Sequence, residues 1–228
     1  MVVGRGMIAT KFLDVSDENT LFFASGVSNS NETDLESFKK EENLLKHYLE
    51  KNQNIKFIYF SSCDVENPQL NTKPYYKHKL NMEKIVSQYN GTYYILRLPQ
   101  VVGKGGNQNT LINFLIDKIE NELPFQVWAG TEKNILDIDD VFSIVMYVVN
   151  QKKYSNSICN IINKKYISIL ELVNIIETVL NKKAIYSLNE LNTTYYYDSL
   201  CMDSILKDLN LQFNENYFYK LIAKYSTK

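Results

Sequence analysis

Tyr75 and Lys79 lie four residues apart in Pro74-Tyr75-Tyr76-Lys77-His78-Lys79-Leu80-Asn81-Met82-Glu83, a stretch that reads as a helix to about Gln88. Residues at i and i+4 share a helical face, so the phenol and the ammonium can serve one small volume. A free tyrosine titrates near ~10 and is a poor acid or base at neutral pH, but a nearby cation favours the phenolate and lowers that value. The spacing therefore suits a general acid/base, although a solvated helical face carries the same two residues just as readily. Upstream, Phe57-Ile58-Tyr59-Phe60 runs into Ser61-Ser62-Cys63-Asp64-Val65, as a buried strand does where it reaches the edge of a sheet.

A third feature stands at the start of the chain. Met1-Val2-Val3 leads into Gly4-Arg5-Gly6-Met7-Ile8-Ala9. A strand, a Gly-x-Gly-x-x-Ala turn and a helix form the dinucleotide-binding arrangement, in which glycines admit a pyrophosphate and the helix N-terminus offers it free N–H groups. A plain tight turn is the alternative. Arg5 within the turn suits either a 2′-phosphate or open water.

These elements in this order resemble the extended short-chain dehydrogenase/reductases, the NAD-dependent epimerase/dehydratase group that acts on nucleotide sugars. Ser61-Ser62-Cys63-Asp64-Val65 looks like the family's serine strand end, and Tyr75 to Lys79 matches its Tyr-x-x-x-Lys helix. Leu96-Arg97-Leu98-Pro99-Gln100-Val101-Val102-Gly103 looks like the strand and loop that follow, and Asn134 to Val141 like the later segment ending in Asp-Asp-Val. The resemblance implies catalytic roles for Ser62, Tyr75 and Lys79. It implies a cofactor lined by Gly4, Arg5, Gly6, Met7, Ile8, Ala24, Ser25, Gly26 and Leu98, with Tyr75 and Lys79 at its reactive end. It places the substrate against Ser62, Gln100 and Lys133. Gln100 stands where an Asn is usual, and Lys133 where an Arg pairs with the substrate pyrophosphate, so the charge is kept and the bidentate fork lost. Glu66 and Asn67 replace a tyrosine and a glycine. Trp128 suits a core position better than stacking on a base.

The bulk properties set the frame. At 228 residues, with 45% hydrophobic content and a formal charge of −1, the chain is long enough for one core and short for two. The charge balance gives no footprint for nucleic acid or an anionic membrane, and no apolar run nears the ~20 residues of a membrane span. Cys63, Cys159 and Cys201 have no metal-ligand spacing and read as reduced thiols in a cytoplasm.

Strand signals (Thr20–Gly26, Ile55–Ser61, Tyr93–Leu98, Val127-Trp128, Ile158–Ile162) alternate with helix signals. The helices are expected over Met7–Leu13, Leu35–Lys51, Asn109–Glu120, Asp139–Val149, a capped helix from Ser168 to Leu180, Asp198–Leu209 and Asn214–Lys224. The pattern predicts an α/β fold, a Rossmann-like doubly wound parallel sheet with a small C-terminal substrate-binding part. One compact unit is expected, its cofactor part mainly 1–99 with 132–165 and its substrate part mainly 100–131 with 166–228. Only about a dozen residues separate the glycine turn from Phe22-Phe23-Ala24-Ser25-Gly26, so the second and third strands of the family sheet have no room. The acid that binds the adenosine ribose from the second strand has no strand to carry it.

A reductase releases its cofactor at each turnover and tolerates a looser site than an epimerase does. The expected function is therefore an NADPH- or NADH-dependent reductase of a nucleotide-linked 4-keto sugar. The alternatives are an epimerase/dehydratase that retains NAD and a non-redox member that binds the nucleotide sugar. A homodimer is expected through the Leu35–Lys51 and Tyr75–Gln88 helices, with Phe38, Leu45, Leu49 and Met82 as buried contacts.

Overall fold

The computed structural model describes residues 1–15, 18–106 and 110–226. The chain opens with β1 (Val2–Val3), α1 (Met7–Lys11), β2 (Thr20–Phe23), α2 (Leu35–Lys51), β3 (Lys56–Ser62), α3 (Pro74–Ser87) and β4 (Thr92–Leu98). There follow β5 (Gln100–Val102), α4 (Leu111–Glu120), β6 (Phe125–Trp128), β7 (Glu132–Lys133), β8 (Ile135–Asp137), α5 (Ile138–Val149) and β9 (Ser157–Asn160). The last elements are β10 (Ile167–Ser168), α6 (Ile169–Leu180), β11 (Tyr186–Asn189), α7 (Leu200–Leu209) and α8 (Tyr217–Ser226). The helix expected from Asn109 begins at Leu111; Asn109 itself lies outside the described residues.

The central sheet has five strands in the order β1-β2-β3-β4-β9, all parallel. Strands covered on both faces read as continuous apolar runs, and their period-2 alternation sorts the side chains between two cores. In β3, Phe57 and Tyr59 pack with Leu45 and Leu49 of α2 and Met82 and Val86 of α3. Ile58 and Phe60 face the other way, toward Phe12, Val141, Val145 and Met202. A further core joins α4, α6 and α8 to β6 and β8 through Leu115, Val127, Ile135, Val173 and Ile222. Helix α7 packs on α5 and β9, so it belongs with the sheet rather than with the C-terminal part to which its sequence position assigned it.

Among the described residues β1 pairs only with β2, and a short helix and a turn at Leu13–Val15 fill the space between them. Among the described residues no second or third strand of the family sheet is present, as the short spacing led one to expect. The short strands β5, β7, β8, β10 and β11 were not foreseen. Each is two to four residues and pairs as a separate ribbon, too short to show a period. Trp128, expected in a core, is exposed on β6, whose alternate residues Phe125 and Val127 are buried instead.

Two further expectations change. Phe38, Leu45, Leu49 and Met82 are buried within the chain's own cores, so none is free to form a dimer contact. The outer faces of α2 and α3 carry Lys39, Lys46, Glu50, Lys77, Asn81 and Lys84, all exposed. Cys159 and Cys201 form a disulfide between β9 and α7, across 42 residues that linear spacing does not connect, while Cys63 is free and buried. Cysteine usage thus carries no argument for a reducing compartment. Among the described residues no helix is long and apolar enough to cross a membrane.

Ser168 accepts the Glu171 N–H at 3.1 Å while Glu171 accepts the Ser168 N–H at 3.0 Å, the reciprocal capping box expected for α6. Ser168→Ala should lower stability by about 1 kcal/mol, read as a reduced urea midpoint at unchanged slope. An unshifted midpoint would show that the box contributes nothing.

Candidate functional site

Ser62 ends β3 in extended backbone, and its Oγ accepts the Asp64 N–H at 3.3 Å, capping the turn Cys63–Glu66. The oxygen is thereby held by backbone, and its proton is left to donate outward. Pro74 occupies the first turn of α3, where its fixed φ and missing N–H cost nothing. This sets Tyr75 and Tyr76 at the helix start, their rings edge-to-face at 5.0 Å. Both belong to one apolar cluster with Val65 of the serine turn and Phe38 of α2, where the serine turn and the tyrosine helix meet.

Lys79 lies one turn along the same face of α3. Its ammonium is 5.7 Å from the centre of the Tyr75 ring and 5.6 Å from that of Tyr59. It donates at 2.8 Å to Glu41 of α2. The other oxygen of Glu41 accepts from His78 Nε2 at 3.0 Å and from the Val27 N–H at 2.8 Å. The His78 ring is stacked on Phe38 at 4.6 Å, which fixes its direction. Glu41, His78 and Lys79 are all buried. Glu41 was missed in the sequence, yet a signal existed: with Phe38, Leu45 and Leu49 it lies on the buried stripe of α2, and a carboxylate there must find donors.

The electrostatics follow from burial. Tyr75 has its pKa raised, first by burial and then by Glu41 and Asp64. The expectation that Lys79 lowers it fails because burial disfavours the phenolate, and the carboxylates of Glu41 and Asp64 add to the rise. Burial opposes the charge of Lys79, but Tyr59 and Glu41 outweigh it, and the ammonium titrates above the ordinary lysine value. Burial likewise opposes the Glu41 charge, and the bonds from His78 and Lys79 overcome it and hold the carboxyl below the usual glutamate value.

Asp64, two residues past Ser62, is the second residue that sequence reasoning missed. It accepts from the Tyr197 hydroxyl at 2.5 Å and from the Tyr76 hydroxyl at 3.4 Å. Tyr197 arrives from the segment before α7, a placement without any local sequence signal. Lys133 is half-buried and feels the charge of Asp64, with burial pulling its pKa down. Among the described residues it has no carboxylate within ion-pair distance. Gln100, at the start of β5, is half-buried, with Oε1 enclosed and unpartnered among the described residues. The replacements at Glu66 and Asn67 are structural. Glu66 accepts from Arg97 at 2.5 Å and from Asn160 at 3.2 Å, and buried Asn67 accepts the Gln69 N–H at 3.0 Å.

The C-terminal ends of the parallel strands line one mouth of the sheet; there, after β1, Gly4 has φ +134°, and a Cβ would lie 2.4 Å from the Ala24 carbonyl oxygen. A Cβ on Gly6 would meet nothing. The turn is therefore required by its own packing and is open in front, as a diphosphate needs. Arg5 is exposed, Met7, Ile8, Ala24 and Ser25 are half-buried, and Leu98 is buried at the end of β4. Gly26 closes against Glu41: a Cβ there would stand 2.3 Å from the carboxylate. A nicotinamide dinucleotide fits this turn at its diphosphate. It does not fit at Lys79, whose ammonium is buried and committed to Glu41.

The Glu41 network makes a pH prediction. A carboxyl whose folded pKa is depressed contributes stability that is complete above its unfolded value of ~4.3 and is lost as pH falls through the folded value. Glu41→Gln should lower the urea midpoint at neutral pH and flatten its decline below ~4.3. A mutant that tracks the wild-type acid limb would exclude Glu41 as its source.

The NAD dependent epimerase/dehydratase family model matches residues 20–161. No curated protein sequence matches the chain. Among solved structures, the UDP-glucuronic acid 4-epimerase of Bacillus cereus, in complex with UDP-glucuronic acid and NAD, is similar at TM-score 0.73 and 17% identity, over 96% of this chain and 78% of that one. The UDP-glucose 4-epimerase of Thermus thermophilus in complex with NAD gives TM-score 0.72 at 12% identity, over 91% and 77%. RMD from Pseudomonas aeruginosa complexed with NADPH gives 0.72 at 14%, over 90% and 80%. At these identities the likeness is one of fold, a Rossmann-like parallel sheet with flanking helices, and the family rests on the matched residues, which run from β2 to the end of β9 and include Ser62, Tyr75 and Lys79. The chain belongs to the NAD-dependent epimerase/dehydratase family.

Proposed function

We propose that the chain recognises a nucleotide sugar, with an anionic diphosphate on Lys133 and the sugar hydroxyls against Ser62, Asp64 and Tyr75. The observation that carries this is the half-buried Lys133 ammonium, which has no ion-pair partner among the described residues and stands near a carboxylate and hydroxyls suited to a sugar. A partly desolvated cation of this kind is stabilised by a ligand phosphate. The chain is read as one unit, its glycine turn and its Lys133 side serving the same mouth. The UDP sugars bound by the Bacillus cereus neighbour support the ligand class.

Two readings differ in the fate of the bound sugar. In the first, favoured by the Glu41–Lys79 pair, the nucleotide sugar is bound without hydride transfer. In the second, favoured by the joint presence of Ser62, Tyr75 and Lys79 and by the nicotinamide cofactors of the neighbours, the chain is an epimerase or dehydratase. With a cofactor that leaves at each turnover, it would be a 4-keto-sugar reductase. The first reading is the one the geometry supports best. In either, the chain's own contribution at the sugar is a hydrogen bond from Ser62 and an approach by the Tyr75 phenol, whose proton is tightly held.

Lys133→Ala should weaken UDP-glucose binding, measured by calorimetry, by about tenfold to a hundredfold, the worth of one charged hydrogen bond. An unchanged affinity would take Lys133 out of the site. For the chemistry, the wild type incubated with UDP-linked 4-keto sugars and NADH or NADPH should show no absorbance change at the reduced nicotinamide band. Turnover that Tyr75→Phe lowers by about 10²–10⁴-fold, the usual share of a general acid, would establish the second reading.

A further inference from the structure

We propose that Glu41 is a built-in lock on Lys79, a carboxylate that takes the place of an outside ligand's oxygen and keeps nicotinamide dinucleotides from engaging the Tyr75–Lys79 face. The proposal deepens the reading that a nucleotide sugar is bound without hydride transfer, and it turns on how completely the pair is closed. The Glu41 side chain is 2% exposed and that of Lys79 7%. Three donors converge on the carboxylate: the ammonium, His78 Nε2 and the Val27 N–H.

Each donor is fixed from its own side. His78 is stacked on Phe38, Val27 follows the end of β2, and Lys79 lies between the rings of Tyr59 and Tyr75. Gly26 leaves room for the carboxylate where any Cβ would collide with it. The ammonium is enclosed by Glu41 and by the rings of Tyr59 and Tyr75, and drawing it away from Glu41 toward an incoming hydroxyl is strongly unfavourable because it strands a charge in a low-dielectric interior. The lock does not reach the other side of the mouth. Asp64 and Lys133 make no bond to Glu41, so the nucleotide-sugar side is left open.

The test is a fluorescence titration of the full chain with NADH, wild type against Glu41→Gln. Glutamine keeps the size of the side chain and removes the charge. The variant should bind NADH about tenfold or more tightly than the wild type, one charged hydrogen bond from Lys79 being regained. Equal affinities, or a weaker variant, would overturn the lock. Should the variant not fold, acetylation of wild-type lysines followed by mass spectrometry decides the matter. Lys79 should label far more slowly than exposed Lys77, at a rate that millimolar NADH leaves unchanged. Labelling as fast as Lys77, or protection by NADH, would refute the proposal. UDP-glucose titrated in parallel separates the two ideas, since its failure to bind would end the nucleotide-sugar reading and leave the NADH contrast to decide the lock.

Discussion

Everything at the mouth of the sheet depends on β3 being buried on both faces. Its first four residues, Lys56 to Tyr59, pair in parallel with β2 on one side, and all seven pair in parallel with β4 on the other. Phe57 and Tyr59 bind it to α2 and α3, Ile58 and Phe60 to the opposite core. A strand fixed from four directions delivers its end with little freedom, and that end is Ser62 with Asp64 just beyond. Parallel strands must all finish at the same edge, so the glycine turn after β1, the Ala24-Ser25-Gly26 end after β2 and Leu98 at the end of β4 arrive beside it.

Against this apolar frame the fully buried charges among the described residues all sit in bonded groups. Helix α3 supplies two of them, Lys79 and Glu83, four residues apart on its inner face. Lys79 reaches across to Glu41 of α2. Glu83 accepts two bonds from Arg97 of β4, at 2.8 and 2.7 Å, and the same guanidinium holds Glu66 of the serine turn. One helix is thereby tied to its neighbouring helix, to the sheet and to the turn that carries Ser62 and Asp64. Removing one partner of such a buried pair costs about 3–5 kcal/mol, whereas the intact pair adds little net stability. The pairs specify position more than they stabilise the fold.

The C-terminal region completes the mouth by a different route. The segment before α7 brings Tyr197 to Asp64, Thr193 to Thr131, and Thr194 to Glu132 of the strand that carries Lys133. Its far end is tied to β9 by the Cys159–Cys201 disulfide and by Asn160, which donates to the Asp198 carbonyl at 3.1 Å. The Asp-Asp-Val segment serves the same purpose from below: Asp137 and Asp139 receive Lys224, Asp137 also Tyr225, and Asp139 also Lys11, joining α8, α5 and α1.

Local pattern was enough to place the major elements. The apolar run of β3, the buried stripe of α2, Pro74 at the start of α3 and the Ser168 capping box are each set by neighbours in sequence, and each forms where its residues require. The dozen residues between the glycine turn and β2 likewise left no length for two more strands, and β1 stands at the sheet edge. What the sequence by itself determined, then, was the parallel sheet, its shortened edge and the elements that carry Ser62, Tyr75 and Lys79. The state of those residues was decided by tertiary structure alone. Spacing puts Lys79 beside Tyr75 but cannot say which third group reaches the ammonium. A carboxylate 38 residues upstream does. Spacing is equally silent on burial, and enclosing the phenol, with Glu41 and Asp64 adding to it, raises the Tyr75 pKa against what the local motif implied.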